Sequence, residues 1–150
     1  AALAQASFGK EFRLRYIPRG LTKKARQDEF ETLCRIVQTA KNCTFVIEEL
    51  GRYTTPSYAP PAWADCCNDG RHDGLHIIAA SQFPAQIDKS FLGNATVIHC
   101  GYLGEEAHRK VVAAKMDIEP ARIKALPNLA YLHFDRASRQ VTEGVVRIPK

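Results

Sequence analysis

The chain has 150 residues, of which 45% are hydrophobic and 25% charged, and this composition predicts one globular domain over residues 1–150. The formal net charge of +5 is unevenly spread along the chain. No apolar run approaches the roughly 20 residues of a membrane-spanning helix. The apolar stretch Ala1–Ala6 lacks the basic leader of a signal peptide. We therefore expect a cytoplasmic protein with no membrane partner.

The first third of the chain predicts strand, helix and strand. Alternation over Phe12–Tyr16 predicts a strand, and apolar residues at helical spacing predict a helix over about 27–39, with Thr22 as its cap. The apolar run at about 43–48 predicts a buried strand. A loop rich in proline and tyrosine runs from Gly51 to Pro61, where Pro61 is suited to begin a short helix.

The rest of the chain alternates predicted strands with predicted helices. The strands are Leu75–Ala80, Ala95–Cys100, Leu129–Asp135 and Val141–Ile148, and the helices are Pro84–Leu92, Glu105–Met116 and Glu119–Leu126. The last two strands are expected to form a hairpin. Because strands alternate with helices through the middle of the chain, the pattern predicts an α/β fold with a mostly parallel sheet, helices on both faces and a C-terminal β-hairpin.

Two adjacent carboxylates, Glu48 and Glu49, end the central predicted strand. Open α/β sheets bind their ligands at the carboxyl ends of the strands. One acid at such a place can hold a metal ion through water, and the next can deprotonate a water molecule. The alternative is that the strand simply ends in solvent, where charges are common.

Polar residues also follow the next predicted strand, where Ser81 and Gln82 come directly after Ala80. Neighbouring parallel strands end side by side, so Gln82 is expected to reach the γ-phosphate of a nucleotide or the attacking water. The alternative is that these residues only begin a turn.

The order of these features resembles the additional-strand P-loop ATPases of the HerA–FtsK type. It resembles most closely the small ATP-binding, packaging and zonula-occludens-toxin-like ATPases of bacteriophages. The resemblance covers about 43–135 and rests on the acid pair, the segment Gly70–Gly74, the run Ser81–Pro84 and the strand Ala95–Cys100. It implies a P-loop NTPase-type sheet and an ATPase that drives DNA translocation, packaging or virion assembly. It also implies ATP and Mg²⁺ as ligands, and DNA, further copies of the chain or virion proteins as partners, in the host cytoplasm or the virion.

The resemblance also implies roles for single residues. Glu49 corresponds to the catalytic base, and Glu48 would hold Mg²⁺ through a water. Gln82 corresponds to the γ-phosphate sensor, with Ser81 beside it on the nucleotide. Arg71 is the candidate for an arginine finger that meets the nucleotide of a neighbouring subunit.

The phosphate-binding loop of P-loop proteins, G-x-x-x-x-G-K-[ST], does not occur in the sequence. The first residues look like the later turns of a helix, so the resemblance implies either that the loop precedes Ala1 or that it has been lost. The alternative function is therefore a non-hydrolytic structural or DNA-binding module that keeps the P-loop fold.

Nucleic-acid contact is suggested at two further places. Seven basic residues lie between Lys10 and Arg26, where they would contact phosphates or form a solvated rim. Tyr53, Tyr58 and Trp63 follow the acid pair, where they would stack on bases or, as we favour, form a small core of the loop.

A zinc site is a minor alternative for one group of residues: Cys66, Cys67, His72 and His76. Adjacent thiols suit one zinc ion poorly, so packing is the favoured role. The odd number of cysteines and their apolar neighbours argue against a disulfide framework.

Overall fold

The computed structural model describes residues 13–147. Helices and strands follow one another as α1 (Lys23–Ala40), β1 (Thr44–Ile47), α2 (Pro61–Asp69), β2 (His76–Ala79), α3 (Lys89–Asn94), β3 (Val97–Cys100), α4 (Glu106–Met116), α5 (Pro120–Lys124), β4 (Ala130–Asp135) and β5 (Gln140–Val145). Short 3₁₀ turns at Leu50–Arg52 and Pro84–Gln86 follow β1 and β2. Among these residues, no helix has the length and apolarity that a membrane crossing requires.

Local capping explains where two helices differ from their predicted bounds. Helix α1 begins at Lys23 because the Thr22 hydroxyl accepts a hydrogen bond of 3.1 Å from the N–H of Ala25, as predicted for a cap. The helix predicted over Pro84–Leu92 is divided into a 3₁₀ turn and α3. Asp88 causes the break, because its two carboxylate oxygens accept the N–H groups at the start of α3, each at 3.0 Å.

The strand predicted over Phe12–Tyr16 is wrong for residues 13–16, which form no regular structure. Phe12 itself lies outside the described residues, as does Ile148 at the end of the last predicted strand. Alternation of apolar and polar side chains fits a strand only where a neighbouring strand is available. The other predicted strands are confirmed with slightly shorter bounds.

The predicted mostly parallel sheet is not confirmed. Strands β1 and β2 pair in parallel, with Thr44 opposite His76 and Ile47 opposite Ala79. Strands β3, β4 and β5 form a separate antiparallel sheet, and β4–β5 is the predicted C-terminal hairpin. Hydrophobic periodicity indicates which residues are buried but not the direction of a strand. The antiparallel pairing of β4, which the chain reaches through α4 and α5, could therefore not be predicted from it.

Both sheets bury one face in a single core, where Ile47 of β1, Ile98 of β3 and Leu132 of β4 are all at most 8% exposed. The opposite face is open. Val46, Ile78 and Val97 are 60%, 46% and 50% exposed there. The second layer of helices predicted for that face is therefore not found within residues 13–147.

Candidate functional site

The carboxyl ends of β1 and β2 lie side by side and form an open cleft. Their parallel register continues past the strands, because the N–H of Leu50 donates to the carbonyl of Ala80 at 2.9 Å. The segments that follow the two strands are thereby brought together. The cleft has a volume of about 440 Å³ and is lined by Glu48, Glu49, Arg52, Ala80, Ser81 and Gln82.

The backbone of Glu49 directs its carboxylate across the cleft. Glu49 adopts the left-handed conformation, with φ 55° and ψ 69°, before the 3₁₀ turn that begins at Leu50. A non-glycine residue in this region is uncommon, and such residues cluster at functional sites. The carboxylate is held by Ser81 Oγ, which donates to Oε1 at 3.0 Å, and by the N–H of Gln82, which approaches Oε2 at 3.4 Å.

The Ser81 hydroxyl is fixed from both sides. It accepts a hydrogen bond of 3.1 Å from the N–H of Phe83 while it donates to Glu49. Gln82 is exposed and lines the cleft. Three residues that the sequence singled out, Glu49, Ser81 and Gln82, are therefore adjacent in space.

The other two predicted residues are placed differently. Glu48 is exposed and lines the same cleft. Arg71 is exposed in the turn that precedes β2, so the length of the strand, about 13 Å at 3.3 Å per residue, separates it from Ser81. Arg71 and Glu49 are thus at opposite ends of the parallel strand pair.

Arg52 lines the cleft and was not expected there. It is exposed in the 3₁₀ turn that follows Glu49, and it adds a cation to a cleft that also holds two carboxylates. The sequence signal was its position three residues after Glu49, since one 3₁₀ turn returns a residue to the same side.

The oxygen donors of the cleft suit a hard cation. Mg²⁺ is usually held by one or two carboxylates and keeps several waters, which Glu48 and Glu49 can satisfy. Over residues 13–147 no group of three or more His, Cys, Asp and Glu side chains is placed to hold a metal by itself. Burial raises the pKa of the Cys67 thiol well above its usual range, which opposes the thiolate that zinc requires.

The aromatic residues after the acid pair are mainly core residues. Trp63 is fully buried between Phe30 and Phe91, with ring centroids 5.4 Å and 5.2 Å away. Tyr53 is 8% exposed and stacks on Phe30 at 4.5 Å. Tyr58 is 44% exposed, so it alone of the three predicted tyrosine and tryptophan residues is open to a ligand.

The chain matches no protein-family model. It is 26% identical over 113 residues to Protein P9 of Pseudoalteromonas phage PM2, a match that covers 73% of this chain and 52% of Protein P9. The chain therefore spans about half the length of this curated relative.

Solved structures of a viral protein share the fold. One is the genome packaging NTPase B204 from Sulfolobus turreted icosahedral virus 2 in complex with ATP-gammaS, with a TM-score of 0.71 at 19% identity over 81% of this chain and 62% of that chain. Another is B204, the DNA-packaging ATPase from Sulfolobus turreted icosahedral virus, with a TM-score of 0.70 at 18% identity over 80% and 62% of the two chains. Residues 13–147 therefore have an α/β fold that is similar to part of a viral genome-packaging NTPase.

Proposed function

We propose that this chain carries the water-activating part of an ATPase of the HerA–FtsK type that drives genome packaging or virion assembly. The observation that carries the proposal is the Glu49 carboxylate, held by Ser81 and Gln82 at the carboxyl edge of two parallel strands. The likeness to B204, a packaging NTPase solved with ATP-gammaS, supports the same activity. The similarity to a protein of a bacteriophage supports a role in a virus.

Glu49 acts as the general base in the proposed reaction. A carboxylate oxygen accepts two hydrogen bonds, so each oxygen of Glu49 keeps one acceptor site beside its contact with Ser81 or Gln82. An attacking water donates to that site. Its proton passes to the carboxylate as its oxygen bonds to the γ-phosphorus and ADP departs. The exposed amide of Gln82 lies at the same edge, where it contacts the γ-phosphate.

Glu48 would hold Mg²⁺ through a water, and the ion when bound would neutralise charge on the phosphates. Arg52, which is exposed and lines the same cleft, supplies a cation near the two carboxylates. Arg71 lies at the far end of β2, so it is proposed to meet the nucleotide of a neighbouring copy. The homo-oligomer that this requires is part of the proposal.

The phosphate-binding loop is proposed to lie before Ala1, on a strand that enters between β2 and β3. Within the described residues β2 pairs only with β1, and β3 pairs only with β4, so each strand has an open edge. The exposed Ile78 and Val97 lie on these two strands. A strand and helix in this position would cover both. The residues encoded upstream of Ala1 test this, because a glycine-rich loop that ends in Lys-Ser or Lys-Thr is expected there.

We propose DNA as the substrate that the ATPase moves. Cationic side chains are exposed near the start of the described chain: Arg13, Arg15, Arg19, Lys23 and Lys24. Such a stretch favours contact with phosphates. Charge reversal in this stretch is expected to weaken DNA binding and to reduce its salt dependence.

The test is nucleotide binding and turnover in the natural protein that includes residues 1–150. Glu49→Gln keeps the shape of the side chain, and its amide oxygen can accept one of the two hydrogen bonds that the carboxylate oxygens accept from Ser81 and Gln82, but it cannot take a proton. We expect ATP to bind and hydrolysis to fall by about 100-fold or more. Glu143→Gln, on the exposed β5, is the matched control and leaves turnover unchanged. Equal turnover in Glu49→Gln and wild type would sink the role of Glu49.

The rival function is a non-hydrolytic structural or DNA-binding module that keeps the fold without a phosphate-binding loop; residues 1–150 contain no G-x-x-x-x-G-K-[ST] motif. Calorimetry with Mg-ATP separates the two. If the natural protein binds DNA but takes up no nucleotide, the module is correct and the ATPase is not.

A further inference from the structure

A buried histidine supports the loop that carries Gln82. His108 is in the first turn of α4 and is only 4% exposed. Its Nδ1 accepts a hydrogen bond of 3.2 Å from the N–H of Ala85, in the 3₁₀ turn after β2. The ring of Phe83 meets the imidazole edge-on, with centroids 5.5 Å apart. His108 therefore contacts the same short loop that presents Ser81 and Gln82.

The contacts of His108 select one tautomer. Because Nδ1 is an acceptor, the neutral ring carries its proton on Nε2. Nε2 lies 3.3 Å from a carboxylate oxygen of Glu105, close enough for electrostatic attraction although not aligned as a hydrogen bond. The Glu105 side chain is 70% exposed, so this contact reaches the surface.

A continuous set of contacts joins His108 to the proposed base. Two residues before Ala85, the N–H of Phe83 donates to Ser81 Oγ, and Ser81 Oγ donates to Glu49. Pro84 stiffens the link between Phe83 and Ala85, because its ring fixes φ. A shift of Ala85 would therefore be transmitted to Ser81 and to the Glu49 carboxylate.

We infer that His108 is a positioning residue, which holds the loop Ser81–Ala85 so that Gln82 and Glu49 face the same point in the cleft. The role in turnover rests on the function proposed above; the structural coupling does not. The distinguishing element is the acceptor at Nδ1. If His108 served only to pack against its neighbours, its aromatic ring would matter and the acceptor lone pair on Nδ1 would not.

Two substitutions separate these roles. His108→Phe keeps an aromatic ring against Phe83 but has no acceptor for the N–H of Ala85. His108→Asn loses the ring but places an amide oxygen near the position of Nδ1. The positioning role predicts that His108→Asn resembles wild type more closely than His108→Phe does, and a packing role predicts the reverse order. Lys110→Ala, which removes an exposed cation paired with Glu106 on the same helix, is the control.

The first readout is the backbone amide signals of Gln82, Phe83 and Ala85 in nuclear magnetic resonance spectra of the natural protein that includes residues 1–150. We expect all three to shift in His108→Phe and to return toward wild type in His108→Asn. A shift at Ala85 without one at Gln82 would overturn the inference. If His108→Phe does not fold, His108→Gln replaces it. The amide of glutamine lies near the position of Nε2 and not of Nδ1, so it provides no acceptor for the N–H of Ala85.

The second readout is ATP turnover of the natural protein that includes these residues. A misplacement of catalytic groups by about 1 Å lowers rate by up to about 100-fold, so we expect kcat to fall in His108→Phe while KM is unchanged. His108→Asn restores kcat. If the amides respond as expected but wild type hydrolyses no ATP, the coupling stands and the proposed function fails. Equal kcat in all variants of an active enzyme contradicts the positioning role.

Discussion

Ser81 and Glu49 are joined by a hydrogen bond of 3.0 Å between the hydroxyl and Oε1. They are 32 residues apart in sequence and meet because Ile47 lies opposite Ala79 in the parallel strand pair. The N–H of Phe83 occupies an acceptor site of the same hydroxyl, so the hydroxyl proton points at the carboxylate. The orientation of the proposed base therefore depends on a serine from the loop that follows the neighbouring strand.

Ser81→Ala removes both hydrogen bonds of this hydroxyl at once. The free energy of unfolding is expected to fall by about 1–3 kcal/mol, because two hydrogen bonds are lost and one of them has a charged acceptor. Turnover should fall further than nucleotide binding, because the carboxylate loses its fixed direction. Urea denaturation measures the first effect and steady-state kinetics the second.

Ser81→Thr keeps a hydroxyl and should recover part of the loss. Ser57→Ala, at an exposed loop position, is the control and should match wild type. If Ser81→Ala and Ser57→Ala have the same stability and the same turnover, the Ser81–Glu49 contact has no role.

The sequence predicted the residue types of this site better than their geometry. Glu49 and Gln82 were identifiable because each follows an apolar run, and the ends of neighbouring parallel strands meet. The left-handed backbone of Glu49 was not predictable, since glutamate has no preference for that region and only the neighbouring turn enforces it. The position of Arg71 at the far end of β2 depends on strand direction, which periodicity does not report.

In the fold, too, local features could be predicted from the sequence and long-range packing could not. Caps such as Thr22 are local, so α1 was predicted with the correct cap although its start was placed four residues late. The antiparallel β4 depends on how α4 and α5 pack, and no local pattern encodes that packing. His108 was missed because its partner Ala85 is 23 residues away and contributes only a backbone N–H.

Asp88 and Thr22 offer a comparison between a buried cap and an exposed one. Asp88 is 8% exposed, caps α3 with both carboxylate oxygens, and donates its own N–H to the Thr54 hydroxyl at 3.2 Å. Asp88→Ala is expected to lower the free energy of unfolding by about 2 kcal/mol, at the upper end for N-caps, and Thr22→Ala by about 1 kcal/mol or less. Thermal unfolding of both variants checks the order. A larger loss in Thr22→Ala would refute it.

Asp117 ends α4 in the left-handed conformation, with φ 54° and ψ 49°. Glycine is the residue that this position favours, because the left-handed region costs most other residues about 1–2 kcal/mol and aspartate less than that. The aspartate also places negative charge at the helix C-terminus, which is unfavourable by about 0.3–1 kcal/mol. Glycine has an opposing effect, because it increases the conformational entropy of the unfolded chain, and this lowers the free energy of unfolding by about 0.4–1 kcal/mol. Asp117→Gly should therefore stabilise the protein by about 1 kcal/mol.

Denaturation midpoints of Asp117→Gly and Asp117→Asn separate the two contributions. Asparagine removes the charge and tolerates the left-handed region, so Asp117→Asn should give only part of the gain. A midpoint of Asp117→Gly below that of wild type would show that the backbone at this position is not strained.

The buried thiol of Cys100 makes the free energy of unfolding vary with pH in the alkaline range. Burial raises the pKa of its thiol to about 11, and the residue is 6% exposed. An unfolded thiol ionises near a pKa of about 8.5, so above that pH the unfolded chain loses a proton that the folded chain keeps. The stabilisation from a neutral Cys100 is therefore complete below a pH of about 8.5 and is lost as the pH rises towards about 11.

Across this window the thiol lowers the free energy of unfolding by up to about 1.4 kcal/mol per pH unit. Cys100→Ala removes that contribution, so its denaturation free energy should fall less steeply with pH than that of wild type. Cys43 is only half-buried, and burial raises its pKa as well, so Cys43→Ala is the matched comparison and should reduce the slope less. Urea denaturation at several pH values through the window measures all three slopes. Identical slopes in wild type and Cys100→Ala would mean that the Cys100 thiol ionises as readily in the folded protein as in the unfolded chain.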